Sequence, residues 1–362
     1  MEESTPQGNT GTLHSLFNFL PFYFYFYPTY MQLLKTAYTA HTAVTRQPEN
    51  MAAEDAHLFV KVLKLDIQAT TVLKLANAYV LKNMILTRRP WKFHTSYSYT
   101  LPVSPFTLFK RSLLLLCRTH TIEKGIWITD QYSLAYFHWL TEALPRLIAA
   151  APFLDGHTLL LPEKYEREPF VKASLELLNC KVHFFKWSHK QKVKELVVPG
   201  HTAGSGHYSI PLINEVRQRF LAATAKAPHR KIYISRQKAP RRKVMNEDAV
   251  VSLVQQHGYE IHFFEDYTLR QQIAIMAETR YLIGLHGAGL TNMLFMPAQG
   301  KILELRNRQD DHNNCFFTLA SALDHDYYYL NNDGDTTDTH IVNITVDTAL
   351  LQQVLHRMEH AQ

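Results

Sequence analysis

The chain predicts a two-domain α/β protein, and three observations carry that prediction. Short apolar runs alternate with amphipathic stretches from about Met51 onward. The strand–helix alternation becomes regular after His229. The 362 residues, 46% of them hydrophobic, suffice for two cores at roughly 150 residues per domain. That composition excludes disorder as the main state. A net charge of +6 without any long basic run suits anionic ligands and argues against a nucleic-acid partner. Cys117, Cys180 and Cys315 lie far apart with no CxxC spacing, which speaks against a disulfide framework or a cysteine-rich zinc site and for a reducing, cytoplasmic setting.

Three segments are expected: an extension over 1–50, an α/β domain over 51–225 and a Rossmann-like domain over 226–362. In the extension, Leu13 to Leu34 is uncharged and aromatic-rich, long enough to span a bilayer but interrupted by Pro21 and Pro28. Glu2 and Glu3 stand where a signal peptide carries positive charge. The segment reads as a poorly ordered tail, a packed aromatic hairpin or a peripheral membrane contact.

In the next segment, Thr71 to Leu86 is strand-like, Leu113 to Leu116 is a compact apolar patch, and Lys124 to Thr129 reads as a buried strand ending at Asp130. A helix follows from about Ala135 to Ala151, with Pro145 implying a kink. Strands are expected at His157 to Leu161, Lys181 to Lys186 and Lys194 to Val198, with a helix over Pro169 to Leu178. Gly200 to Ser209 reads as a mobile connection, and Pro211 to Ala223 as a helix crossing to the second half.

That half alternates cleanly. Lys231 to Ser235, Tyr259 to Phe264, Tyr281 to Leu285 and Lys301 to Leu305 are strands, separated by helices that begin at Asn246, read as a cap, at Leu269 and at Leu290. A doubly wound sheet binds its ligand beyond the carboxyl ends of its strands. Here those ends present Arg236, Glu265 with Asp266, His286 to Gly289, and Arg306.

Two constellations carry chemistry. Gly284-Leu285-His286-Gly287-Ala288-Gly289-Leu290-Thr291-Asn292 places small residues at a strand-to-helix turn, where backbone N–H groups can approach a phosphate. It lacks the spacing of a dinucleotide fingerprint or a P-loop, and tight helix-on-sheet packing is its alternative reading. Arg236, Lys238, Arg241, Arg242 and Lys243 follow the first strand of that unit and would face the same crevice; a solvated basic loop is the alternative. In Tyr136-Phe137-His138-Trp139-Leu140-Thr141-Glu142-Ala143-Leu144-Pro145-Arg146-Leu147, His138, Glu142 and Arg146 fall along one helix face, an imidazole beside a carboxylate that suits a general base. A salt-bridge ladder would show the same spacing. Asp130, at the preceding strand end, is the third candidate of this group.

The blocks YFHWLTEALPRL, KIYISRQKAPRRKVMNED and IGLHGAGLTNMLFMPAQGKILELR, in that order, resemble the signature blocks of glycosyltransferase family 61. The resemblance spans about Trp127 to Arg306; Ala135 stands where Gly or Asn is common, and the first ~120 residues match only faintly. It implies a GT-B architecture of two Rossmann-like domains facing across a cleft, the second binding a nucleotide sugar. The implied reaction is an inverting transfer to a hydroxyl of a polysaccharide or other glycan, without a metal or further cofactor. On that reading His138, Glu142 and Asp130 serve catalysis, with His138 as base oriented by Glu142, or the reverse. Arg236, Arg242, Lys243, His286, Gly287, Ala288, Gly289 and Asn292 hold the donor diphosphate, and Glu304 binds a ribose hydroxyl or pairs with Arg306. Asn246 and Glu247 also match the second block. Asp333-Gly334-Asp335 resembles a metal-binding triplet but reads as a turn in its Asn/Asp/Thr-rich setting. The rival function is a nonenzymatic nucleotide or polysaccharide binder of lapsed transferase fold. A hydrolase has neither a GxSxG elbow nor metal-ligand spacing to support it.

Overall fold

A computed structural model describes residues 30–221 and 227–360. The aromatic segment therefore lies largely outside the described residues. Its last part enters β1 (Met31–Tyr38), which is followed by a short antiparallel pair, β2 (His41–Val44) and β3 (Lys64–Ile67). No helix among the described residues is long and apolar enough to cross a membrane.

The first large sheet is mixed. It contains β4 (Thr70–Leu81), β5 (Met84–Arg88), β6 (Trp91–Phe93), β7 (Thr119–Ile126), β8 (Thr158–Pro162), β9 (Val182–Phe185) and β10 (Lys190–Pro199). Their order is β6-β5-β4-β10-β7-β8-β9, and β1 pairs with the free end of the long β4. Strands β10, β7, β8 and β9 run parallel, whereas β4, β5 and β6 add an antiparallel meander. The run Thr71 to Leu86 thus splits into two strands around the left-handed Lys82, whose φ is 59°.

The second sheet contains β11 (Arg230–Ile234), β12 (Glu260–His262), β13 (Thr279–Leu285), β14 (Lys301–Asn307), β15 (Asp326–Gly334) and β16 (Ile344–Thr345), ordered β12-β11-β13-β14-β15-β16. The first five are parallel and β16 is antiparallel. Chain order reverses at β11 and β13, and that switch point opens a crevice at their carboxyl ends. Burial on both faces explains the continuous apolar runs: Leu282, Ile283, Leu285, Ile302, Leu303 and Leu305 are all buried.

One apolar cluster joins the halves, from Ile126, Trp139 and Leu147 to Leu290, Met293 and Phe317. A shared core fixes how the first-half helix meets the second-half turn. That helix has one α-turn at Tyr136–His138, widens to a π-turn over Trp139–Ala143 and resumes over Leu144–Ala149. Pro145 has no N–H to donate and its ring would strike the carbonyl four residues back, so the wider turn accommodates it.

The apolar patch Leu113–Leu116 is a 3₁₀ turn that, like the helix it extends, buries no residue. Three local expectations are corrected. Asn246 makes no cap bond; its amide brackets the backbone of Val346 instead. Asp333 and Gly334 close β15 against β16, and Asp335 binds the backbone and side-chain amides of Asn343. The stretch Gly200 to Ser209 is packed, with Thr202, Tyr208 and Ser209 buried and the Tyr208 hydroxyl donating to the Cys315 carbonyl at 2.9 Å.

Candidate functional site

Strand β11 ends at Ile234, and the loop after it is held from inside. Buried Glu247 accepts from the Tyr233 hydroxyl at 3.0 Å and from the Arg236 backbone N–H at 3.2 Å. The Arg236 side chain then donates Nε to the Arg242 carbonyl at 2.8 Å and Nη2 to the Arg241 carbonyl at 2.9 Å. Its remaining nitrogen, Nη1, lies 3.1 Å from where a Cβ on Gly287 would be, and the Arg242 Cζ lies 3.6 Å from the same point. Two guanidinium groups therefore converge on a glycine, where a side chain would crowd Arg236 and touch Arg242. The left-handed backbone of Arg242, φ 58°, turns its chain back toward this point.

Burial and mutual repulsion set the electrostatics of this arginine pair. Burial lowers the Arg236 pKa despite support from Glu265 and Glu247. Burial, followed by the charges of Arg236 and Arg241, lowers Arg242 to about 10, and its buried Nε has no hydrogen-bond partner. Desolvated like charges facing each other call for a multivalent anion. Beside them lies a cavity of about 200 Å³, lined by Tyr136, Ser235, Arg236, Glu265, Ala288 and Gly289 among others.

Other candidates take different places. Lys243 is exposed and lines a separate depression with Gln237 and Asn246, because its backbone is tied to Asn343 and Ile344 on the β16 side. Lys238 pairs with Asp266. Asn292 is buried, accepts from the Tyr136 hydroxyl at 2.8 Å and donates to the Gly289 carbonyl at 3.0 Å, so it fastens the helix to the turn. Glu304 is fully buried with both oxygens engaged, one by His286 Nδ1 and the other by the Tyr327 hydroxyl. Burial pushes its pKa up, but His286, Arg306 and Tyr327 outweigh that and the net shift is downward. Glu304 orients His286, and its fully buried side chain presents no surface to a ribose. Arg306 instead binds Asn314 and the Asp310 carbonyl.

On the first-half side, His138 Nδ1 is 2.9 Å from Glu142 Oε1, close but without hydrogen-bond alignment. Glu142 accepts from Ser205 Oγ at 2.7 Å. Asp130 spends Oδ1 on the backbone of Tyr132 and on Ser133, shaping the loop, while Oδ2 lies 3.8 Å from His201 Nδ1. Arg146, on the same helix, is buried beneath them, donating to the carbonyls of Pro199 and Tyr97. Burial lowers its pKa to about 10, with Asp130 and Glu142 opposing. Burial and Arg146 hold His201 down at about 4, so this imidazole is neutral near pH 7. His201 and Ser205 were legible only as two polar residues of a glycine-rich connection; their part in the cluster depends on that connection's packing.

Two lines of contact join the clusters. The Phe137 ring meets Phe316 at 5.7 Å, and Phe316 meets His286 at 5.0 Å. From Glu142, Ser205 leads to Gly206, whose carbonyl accepts from Thr318 and where a side chain would meet Cys315, 3.1 Å from the position of a Cβ. The structure thus brings His138, Glu142, Arg236, Arg242, His286 and the glycine turn to one region.

Residues 136–303 match the family model for glycosyltransferase 61. The chain carries a glycosyltransferase 61 domain. That domain holds the imidazole–carboxylate pair, both converging arginines and the glycine turn; Asp130 and Glu304 lie just outside the match. The chain is 39% identical over 101 residues to the EGF domain-specific O-linked N-acetylglucosamine transferase of Drosophila melanogaster, covering 26% of this chain and 19% of that one. The mouse protein of that name is 35% identical over 85 residues, 22% of this chain and 16% of the relative. The beta-1,2-xylosyltransferase XAX1 of Oryza sativa subsp. japonica is 22% identical over 214 residues, 52% of this chain and 38% of the relative. The chain thus spans less than two fifths of the length of these curated relatives.

Proposed function

We propose that the protein is an inverting glycosyltransferase that moves a sugar from a nucleotide-sugar donor to a hydroxyl acceptor on a glycan or protein, with its two sheets acting as the halves of a GT-B cleft. The carrying observation is the pair of desolvated guanidiniums on Gly287 at the switch point of a parallel sheet. A nucleoside diphosphate supplies the charge those groups lack, and the 200 Å³ cavity beside them takes part of the donor. The acceptor hydroxyl attacks the anomeric carbon, His138 takes its proton while the Glu142 carboxylate 2.9 Å away stabilises the imidazolium that forms, and the diphosphate departs against Arg236 and Arg242. The relatives' names, an O-linked N-acetylglucosamine transferase and a xylosyltransferase, support the transfer class and nominate two donor sugars for assay.

Arg236→Ala should weaken nucleoside-diphosphate binding by about 1.5 to 3 kcal/mol, the scale of a charge-assisted hydrogen bond. Gly287→Val should do likewise by pushing both guanidiniums aside. Calorimetry that finds wild-type affinity in folded Arg236→Ala removes the phosphate assignment. With two arginines on the leaving group, turnover should also survive EDTA. Loss of activity that manganese or magnesium restores would replace this metal-free reading.

A further inference from the structure

A second face of the molecule, away from the crevice, combines apolar exposure with one sign of charge. The helix Pro105–Ser112 is capped by Ser104 and buries no residue, and neither does the Leu113–Leu116 turn after it. Phe106 is 64% exposed, Phe109 61%, Leu113 48% and Leu116 87%. Trp91, 56% exposed, lies between two depressions. One, of about 550 Å³, it shares with Lys92, Pro105, Leu108 and Phe109. The other, of about 640 Å³, it shares with Tyr30, Tyr79, Arg88, Arg89 and Lys192. Large apolar side chains left in water at this density mark an interaction surface.

The charge pattern selects the occupant. From Lys82 to Ile122 the chain has seven Lys or Arg residues and no Asp or Glu. Arg88, Arg89, Lys92 and Lys192 have no ion-pair partner among the described residues, and Lys110 rests 4.1 Å over the Phe106 ring. Apolar helix positions, flanking cations and an interfacial Trp are the combination that seats a helix in the headgroup region of a bilayer. We propose that this face docks on an anionic lipid surface, the Phe106–Leu116 ridge entering the headgroup–acyl boundary while the basic depression beside Trp91 takes lipid headgroups. The loop carrying the ridge is pinned to the candidate site, since Thr100 and Gln131, next to Asp130, exchange hydrogen bonds of 3.1 and 2.8 Å.

The test is co-sedimentation of the full chain with vesicles of phosphatidylcholine, with and without phosphatidylserine. The wild type should bind the serine-containing vesicles at least about tenfold more tightly, with loss at high salt. Phe106→Ser with Phe109→Ser should weaken that binding by about tenfold or more. Arg88→Gln with Arg89→Gln should weaken it by about 10- to 30-fold on serine-containing vesicles and leave binding to phosphatidylcholine alone unchanged. Leu116→Ser, at the most exposed position, serves as the ridge variant should the double substitution fail to fold. The proposal is overturned by absence of binding to both vesicles, or by wild-type binding in all variants, which would move any contact to residues 13–29. A dimer that the ridge substitutions dissociate without lipid, with no vesicle binding, would overturn it in favour of self-association.

Discussion

His138→Ala should lower turnover by about 10²- to 10⁴-fold, the usual worth of proton abstraction by a placed base, while nucleotide affinity stays nearly unchanged. The division follows from where the charges lie. On the proposed reading the glycine-turn side offers Arg236 and Arg242 to the leaving group, and His286 there is held by Glu304. The helix side offers an imidazole whose Nδ1 sits at Glu142, leaving Nε2, which makes no hydrogen bond among the described residues, to meet an acceptor hydroxyl. Glu142 is in turn steadied by Ser205. Glu142→Gln keeps the side chain's size and loses its charge, so the expected loss is smaller than for His138→Ala. Steady-state rates measured beside nucleotide titrations decide the assignment. Full activity in His138→Ala removes it as base, and a larger loss in Glu142→Gln exchanges the two roles.

The second large effect is on stability. Unfolding free energy should fall by on the order of 5 kcal/mol between pH 6.5 and pH 4.5, comparable to the whole margin of a typical domain. Three histidines carry this. Burial, followed by nearby Lys92, lowers His94 to about 4; burial and Arg146 lower His201 to about 4; burial and Arg217 lower His325 to about 3. The sign is fixed: in this window the unfolded chain binds protons at these side chains and the folded chain does not, so stability rises with pH. For His325 the backbone dictates the tautomer. The Gly300 N–H donates to Nδ1 at 3.2 Å, and Nε2–H donates to the Met293 carbonyl at 3.1 Å. A proton on Nδ1 breaks the first bond and puts a charge near Arg217 and Arg46. Denaturant unfolding across this range checks the result. A flat profile would mean these rings are not buried neutral, and His325→Gln should flatten the slope while lowering stability at pH 7.

The alternation of parallel strands and helices after His229 was legible because strands buried on both faces are continuous apolar runs, and the arginine-bearing end of β11 and the glycine turn after β13 followed from the same alternation. Arg236 and the turn at Gly287 were legible by the same logic, since each immediately follows a strand. Strand β15 was not: DYYYLNNDG ends in residues that also make turns, and only pairing with β14 keeps them extended. The antiparallel meander of the first sheet was hidden because local patterning does not say which edge a strand joins. Residue order alone determined that an imidazole and a carboxylate share a helix face, that arginines follow a strand, and that glycines follow another. Tertiary structure decided which of those groups remain free for a ligand. It tied Lys243 to the β16 side, spent both oxygens of Glu304 on His286 and Tyr327, and brought His201 and Ser205 beside Asp130 and Glu142. The reason is that a side chain's availability depends on partners distant in sequence, and burial obliges polar atoms to find them.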